Sequence, residues 1–173
     1  MTLANALSAA RGLLVLPVIG LITIGDASLA LLVFLGAAAT DALDGPLARR
    51  RGPTAFGAAL DPLADKVLVV GTLAALAIRG IAPAWALVLI FARELIAIEV
   101  RARASHAMGA SVDGKAKTVL QTAAIALLLA TEAWPAAGLA TPAIALLVAA
   151  TALTVLSGVR LVLRAKQTTA DAA

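Results

Sequence analysis

Four aspartates stand close together in an otherwise apolar sequence. Asp41 and Asp44 are three residues apart, and Asp61 and Asp65 are four residues apart. On helices these spacings place each pair on one face, so that two facing helices could bring all four carboxylates together. Ionised groups at membrane depth are costly, and hard oxygen ligands from facing helices suit Mg2+ or Mn2+. The spacing therefore predicts a divalent metal site.

The composition of the chain predicts an all-α polytopic membrane protein. Hydrophobic residues make up 62% of its 173 residues, charged residues 14%, and the mean hydropathy is +1.01. Because roughly 20 residues span a bilayer, the chain has room for about six transmembrane helices. Cysteine is absent and His106 is the only histidine, which argues against disulfides, thiolate chemistry and a zinc site.

Apolar stretches between charged segments predict the positions of the helices. We expect a single membrane domain over 1–173, with an amphipathic lead-in at 1–12 and a frayed tail at 167–173. The helices are expected at Leu13–Ile24, Ser28–Leu47, Ala55–Ile78, Ala84–Val100, Thr118–Ala133 and Pro142–Leu163.

Basic residues concentrate in alternate connections along this path. By the positive-inside rule, both termini and the basic connections face the cytoplasm, while Trp85 and Trp134 lie at the opposite ends of their helices. Asp41 is roughly 15 Å along a helix from Arg51, so the carboxylates need a polar cavity that is open to the cytoplasm. The basic residues are dispersed, which favours anionic membrane lipids and an anionic substrate as partners, and no nucleic acid.

The aspartates belong to a longer pattern, Asp41-x2-Asp44-Gly-x2-Ala-Arg-x7-Gly-x3-Asp61-x3-Asp65. This pattern resembles the signature of the CDP-alcohol phosphotransferase family at every fixed position. The resemblance implies a homodimeric enzyme that transfers a substituted phosphate from a CDP-lipid, with two Mg2+ or Mn2+ ions. Without the resemblance, the acids could be a solvated loop face or a buried ion-pair cluster with Arg49 and Lys66.

The resemblance also implies individual roles. Asp41, Asp44 and Asp61 would be metal ligands, and Asp65 would be the general base and a further candidate ligand. Spacing alone does not distinguish a base from a ligand, because all four side chains are the same chemical type. The residues implied to bind the CDP-lipid are Asp44, Gly45, Ala48, Arg49, Gly57, Asn5 and Ser8.

Asn5 and Ser8 belong to the segment Asn5-x-x-Ser8-x-x-Arg11, which is followed by Pro17. This segment resembles the opening of bacterial members of the family. Asn5 could equally cap the first helix. The two roles are compatible.

The downstream basic residues resemble the phosphatidylglycerophosphate synthase branch, whose acceptor is sn-glycerol 3-phosphate and whose donor is CDP-diacylglycerol. Its acceptor phosphate needs cations separate from the diphosphate site. The candidates are Arg93, Arg101, Lys115 and Lys117. Both lysines could instead be topology charges in a loop, and Arg93 with Glu94 a local ion pair. Asp113 departs from the pattern of that branch.

Three other functions stay open at this point. Within the family, the chain could be a cardiolipin synthase that uses phosphatidylglycerol, or a phosphatidylinositol-phosphate synthase that uses inositol phosphate. In a different class, a divalent-cation transporter would also place acids at membrane depth. A transporter has no need of Gly45, Arg49 and Gly57 to contact phosphates.

Overall fold

The computed structural model describes residues 10–51, 55–103 and 112–170. This part of the chain is α-helical, with one 3-10 turn at Pro135–Ala137 and no β-strand. The helices are α1 (Val15–Ile24), α2 (Ala27–Arg51), α3 (Ala55–Ile78), α4 (Ala84–Arg103), α5 (Val112–Ala133) and α6 (Ala140–Ala170). The all-α prediction is confirmed for these residues, whereas six membrane spans remain a prediction.

Several helix ends agree with the sequence-based bounds because glycine and proline mark them. Gly25 (φ 87°) follows α1, and Gly80 (φ 73°) follows α3. Both adopt the left-handed conformation that glycine tolerates without a Cβ clash. The Asp26 N–H then donates to the Leu21 carbonyl at 2.9 Å. The Asp26 side chain accepts from the Leu29 N–H at 3.0 Å and caps the start of α2.

Other helices extend beyond the apolar stretches that predicted them. The helix α2 ends at Arg51 rather than Leu47, α5 begins at Val112 rather than Thr118, and α6 ends at Ala170 rather than Leu163. Backbone hydrogen bonding continues through these segments, where Ala, Arg and Lys are good helix formers. Lys115 and Lys117 consequently lie within α5, and placing them in a loop was wrong.

Arg79 joins the ends of two helices. Its guanidinium donates to the carbonyls of Ile22 at 3.0 Å and Thr23 at 3.2 Å. These carbonyls belong to the last turn of α1, where a cation is favoured by the helix dipole and by the free carbonyls. Arg79, in the connection between α3 and α4, thus caps the end of α1.

The helices surround a common apolar core. α5 packs against α2, α3 and α6, while α1 packs against α2 and α3, and α4 against α3 and α6. The Cβ-free Gly71 lets α1 approach α3, since a Cβ there would lie 2.6 Å from Val15 Cγ2. The largest fully buried apolar side chains are Phe34, Leu68, Leu73, Leu76, Ile90, Ile125, Leu128, Leu129 and Leu147.

The outer surface is rich in large apolar side chains. Ile78, Ile24 and Leu32 are exposed, as are Trp85 in the first turn of α4 and Trp134 just after α5. Within the described ranges, one segment, Ala140–Ala165, is long and apolar enough by length and composition to cross a membrane. An apolar exterior around a partly polar interior suits a lipid environment.

Candidate acceptor and metal site

The helical backbone carries the four aspartates at the spacings that the sequence predicted. Asp41 and Asp44 lie in α2, and Asp61 and Asp65 lie in α3. The two helices contact each other and are linked by three residues, 52–54, which lie outside the described part of the chain. Because residues three or four apart on a helix share a face, each aspartate pair lies on one face of its helix.

For most of the motif, only the backbone belongs to the described structure. The predicted contacts of these residues with metal or nucleotide lie outside the described side chains: Asp41, Asp44, Gly45, Ala48, Arg49, Gly57, Asp61 and Asp65. Asn5 and Ser8 lie outside the described residues altogether. Among residues with described side chains, no group of three histidines, cysteines or acids could hold a metal ion. The metal site thus stays a prediction.

The start of the described chain packs beside the helix that carries Asp61 and Asp65. A Cβ on Gly12 would lie 3.5 Å from the Cβ of Ala64, the residue before Asp65. Neighbouring Arg11 is 1% exposed. A buried arginine is costly unless its charge is compensated. The sequence pattern had included Arg11 but assigned it no contact.

A buried ion-pair cluster is centred on Glu94 of α4. One carboxylate oxygen, Oε2, lies 3.0 Å from Lys66 Nζ of α3. The other, Oε1, accepts from Arg93 at 3.1 Å and from Lys117 of α5. Arg93, Glu94 and Lys117 are all buried, and Lys66 is the most exposed of the four side chains at 22%. Residues from three helices therefore meet at one carboxylate.

A fourth helix fixes Arg93 from the opposite side. Its second terminal nitrogen donates to the Ser157 hydroxyl of α6 at 3.1 Å. The aliphatic part of Arg93 lies against Gly158, where a Cβ would come within 2.8 Å of Arg93 Cγ. The absence of a side chain at Gly158 thus makes room for the aliphatic part of Arg93.

Hydrogen bonds extend this polar region between α5 and α6. The Gln121 amide donates to the Thr154 hydroxyl at 2.8 Å. The hydroxyl of Ser157 donates to the Thr154 carbonyl at 3.0 Å. Gln121 lies one helical turn after Lys117, so this pair is continuous with the Glu94 cluster along α5. Both helices are held in register at the site.

Among the described side chains, the cluster carries more positive than negative charge. There, Lys66, Arg93 and Lys117 share the single carboxylate of Glu94. Cations in excess of carboxylates are costly to bury, and an anion placed there would offset the cost. Guanidinium and ammonium groups are also the usual donors to phosphate oxygens. The arrangement is suited to a phosphate monoester dianion.

The structure brings together two of the four residues predicted for the acceptor phosphate. Arg93 and Lys117 meet at Glu94. Arg101 lies in α4 and Lys115 in α5, but their side chains are outside the described set. Lys66 and Glu94 had been noted in the sequence without a site role, and Ser157 and Gly158 had been missed. Their proximity depends on packing between helices, which spacing along the chain does not report.

The sequence profile of the CDP-alcohol phosphatidyltransferase family matches residues 1–166 of the 173. The chain belongs to this family. Its members are membrane-embedded proteins, and the family generally uses divalent metal ions. Membership confirms the family resemblance that the aspartate motif indicated.

Curated relatives of this family member include enzymes of glycerophospholipid synthesis. A probable phosphatidylglycerophosphate synthase of Mycobacterium tuberculosis (strain CDC 1551 / Oshkosh) is 40% identical over 136 residues, covering 77% of this chain and 64% of the relative. The CDP-diacylglycerol--glycerol-3-phosphate 3-phosphatidyltransferase of Bacillus subtilis (strain 168) is 37% identical over 120 residues, 64% of this chain and 62% of the relative. This CDP-alcohol phosphatidyltransferase family member therefore spans less than two thirds of the length of either relative.

A relative with a different name is also similar to this family member. A probable cardiolipin synthase (CMP-forming) of Drosophila melanogaster is 36% identical over 98 residues, covering 55% of this chain and 30% of the relative. That match is shorter than the two above. This similarity supports the chemistry that the family shares. It does not favour any particular acceptor.

Proposed function

We propose that this protein transfers the phosphatidyl group of CDP-diacylglycerol to sn-glycerol 3-phosphate, which yields phosphatidylglycerophosphate and CMP. The observation that carries the proposal is the buried cluster in which Lys66, Arg93 and Lys117 share the one carboxylate of Glu94. An acceptor with a phosphate monoester would offset the excess of positive charge among the described side chains of this cluster. Names of the relatives from M. tuberculosis and B. subtilis support the same reaction.

The reaction needs an activated hydroxyl and a stabilised leaving group. In the proposed mechanism, Asp65 accepts the proton of the acceptor hydroxyl, whose oxygen then forms a bond to the phosphatidyl phosphorus. The bond from that phosphorus to the bridging diphosphate oxygen breaks, and CMP departs with this oxygen. Lys66 follows Asp65 directly in α3. An acceptor phosphate at the cluster would therefore be held near the proposed base.

The carboxylates of Asp41, Asp44, Asp61 and Asp65 are proposed to hold the family's divalent ions, Mg2+ or Mn2+ and two in number. Their hard oxygen donors on two contacting helices fit such ions. The bound ions would neutralise negative charge on the diphosphate. The residues proposed to contact the CDP-lipid itself are Asn5, Ser8, Asp44, Gly45, Ala48, Arg49 and Gly57.

For the architecture, we propose six membrane-spanning helices around a polar cavity that is open to the cytoplasm. Both termini would face the cytoplasm, as the distribution of basic residues indicates. The chain would form a single domain over 1–173, with Arg101 and Lys115 completing the acceptor-phosphate site. By family resemblance the protein would be a homodimer in contact with anionic membrane lipids.

The test is release of CMP from CDP-diacylglycerol by the purified protein with different acceptors. sn-Glycerol 3-phosphate should support release, whereas serine and phosphatidylglycerol should not, and inositol phosphate should be used less well. Preferential use of phosphatidylglycerol would favour the cardiolipin synthase alternative, which the similarity to the Drosophila relative supports. Absence of CMP release with every acceptor would contradict the proposed activity.

A further inference from the structure

We infer that Glu94 is a positioning residue of the acceptor site, which holds Lys66 and Lys117 where they can receive the acceptor's phosphate. This inference rests on the proposed function and adds a role to a residue that does not itself bind the anion. A carboxylate beside a phosphate would repel it, so its presence among the cations calls for a separate reason. That reason is the convergence of three cations, of which Arg93 and Lys117 are buried and Lys66 is partly exposed.

Glu94 is the point at which the cations meet. Its Oε2 atom pairs with Lys66 of α3 at 3.0 Å, while Oε1 accepts from Arg93 of α4 and from Lys117 of α5. Like charges this close repel one another, and burial strengthens the repulsion. A shared carboxylate offsets the repulsion and, among the described side chains, still leaves an excess of positive charge for the substrate.

The three cations depend on Glu94 to different degrees. Arg93 is also held by Ser157 and by its fit against Gly158. Lys66 and Lys117, by contrast, have Glu94 as their ion-pair partner among the described residues. Lys66 is also the most exposed member, so it can turn toward solvent at the lowest cost. Loss of the Glu94 charge should therefore release the two lysines and leave Arg93 in place.

The variant Glu94→Gln tests this role, because it keeps the shape of the side chain and removes the charge. We expect the KM for sn-glycerol 3-phosphate to rise by about 10-fold or more, since at least one charge-assisted hydrogen bond to the phosphate is lost. The KM for CDP-diacylglycerol should stay within about twofold, as its diphosphate is bound elsewhere. Glu94→Asp keeps the charge and should recover part of the loss.

A matched control is Glu132→Gln, the same chemical change at an exposed position near the end of α5. It should have wild-type KM values for both substrates. Titration calorimetry with sn-glycerol 3-phosphate as the probe gives a readout independent of turnover, and Glu94→Gln should weaken this binding by a factor similar to its KM effect. A purely structural role would lower the amount of active protein and leave both KM values unchanged.

Several results would overturn the inference. A lower KM for glycerol 3-phosphate in Glu94→Gln would mean that Glu94 competes with the phosphate, and an unchanged KM would mean that the lysines hold their positions without it. If Glu94→Gln does not fold, Glu94→Asp decides, because the shorter side chain should still raise this KM and an unchanged value refutes the role. Wild-type protein that releases no CMP with glycerol 3-phosphate would instead refute the proposed function, and the inference with it.

Discussion

Replacing Gly158 by alanine should displace Arg93 without changing any charge in the protein. The new Cβ would lie 2.8 Å from Arg93 Cγ, whereas ordinary contacts begin at 3.4 Å, so full relief of the clash needs a displacement of about 0.6 Å between them. The hydrogen bonds of Arg93 to Ser157 and Glu94 are both 3.1 Å, already near the long end of the usual range. A shift of this size in the arginine is large enough to break either bond.

The expected effect follows from the loss of one well-placed guanidinium. A hydrogen bond to a charged group contributes about 1.5–3 kcal/mol. With 1.36 kcal/mol for each factor of ten, the KM for sn-glycerol 3-phosphate should rise by roughly 10- to 150-fold. The KM for CDP-diacylglycerol should remain near the wild-type value, because Arg93 is proposed to contact only the acceptor.

The assay is steady-state CMP release with each substrate varied in turn, together with the melting temperature of the purified protein. Gly36→Ala is the matched control, since Gly36 lies inside α2 and a Cβ there would meet no atom within 4 Å. It should leave both KM values unchanged. An unaltered acceptor KM in folded Gly158→Ala would refute the assignment of Arg93 to the acceptor phosphate.

Three further predictions concern the metal site, the proposed base and the packing of α1. A chelator should abolish CMP release, and added Mg2+ or Mn2+ should restore it. Alanine at Asp41, Asp44 or Asp61 should abolish CMP release even at saturating CDP-lipid. Full activity in the presence of chelator would contradict the metal site. Asp65→Asn should lower kcat by roughly 100-fold or more with CDP-lipid binding largely retained, measured as turnover and equilibrium binding, and an equal loss of binding would make Asp65 chiefly a ligand. Gly71→Ala should lower the free energy of unfolding by about 1–3 kcal/mol relative to Gly36→Ala, because its Cβ would lie 2.6 Å from Val15 Cγ2; equal denaturation midpoints for both variants would contradict this close approach.

The Glu94 cluster is better understood as a binding site than as a source of stability. A buried ion pair commonly contributes little net stability, because desolvation of the charges offsets their attraction. Among the described side chains, three cations share a single carboxylate here, so the attraction offsets even less of the cost. Groups arranged at such a cost are typical of functional sites in membrane proteins. The proposed binding of the acceptor phosphate would offset this cost.

The helical elements and the family motif could be predicted from the sequence because both depend on local patterns. The bounds of α3 at Ala55–Ile78 agree with the apolar stretch. α1 ends just before Gly25, α4 begins just after Pro83, and α5 ends just before Trp134. Helices that begin or end among charged residues are longer than predicted, since hydropathy decreases there while helical hydrogen bonding continues. The aspartate motif alone indicated the family, which the profile match then confirmed.

The composition of the proposed acceptor site was decided by the tertiary structure. Lys66, Glu94 and Lys117 are separated by more than twenty residues along the chain, and Ser157 lies a further forty residues on. No helical period connects such positions; they meet because α3, α4, α5 and α6 pack around one point. In the sequence, Glu94 was a neighbour of Arg93 and Gly158 was one glycine among thirteen. Only the packing of the helices brings the carboxylate of Glu94 to its cations and places Gly158 against the aliphatic part of Arg93. The reason is that side chains on different helices are positioned by interhelical contact rather than by spacing along the chain.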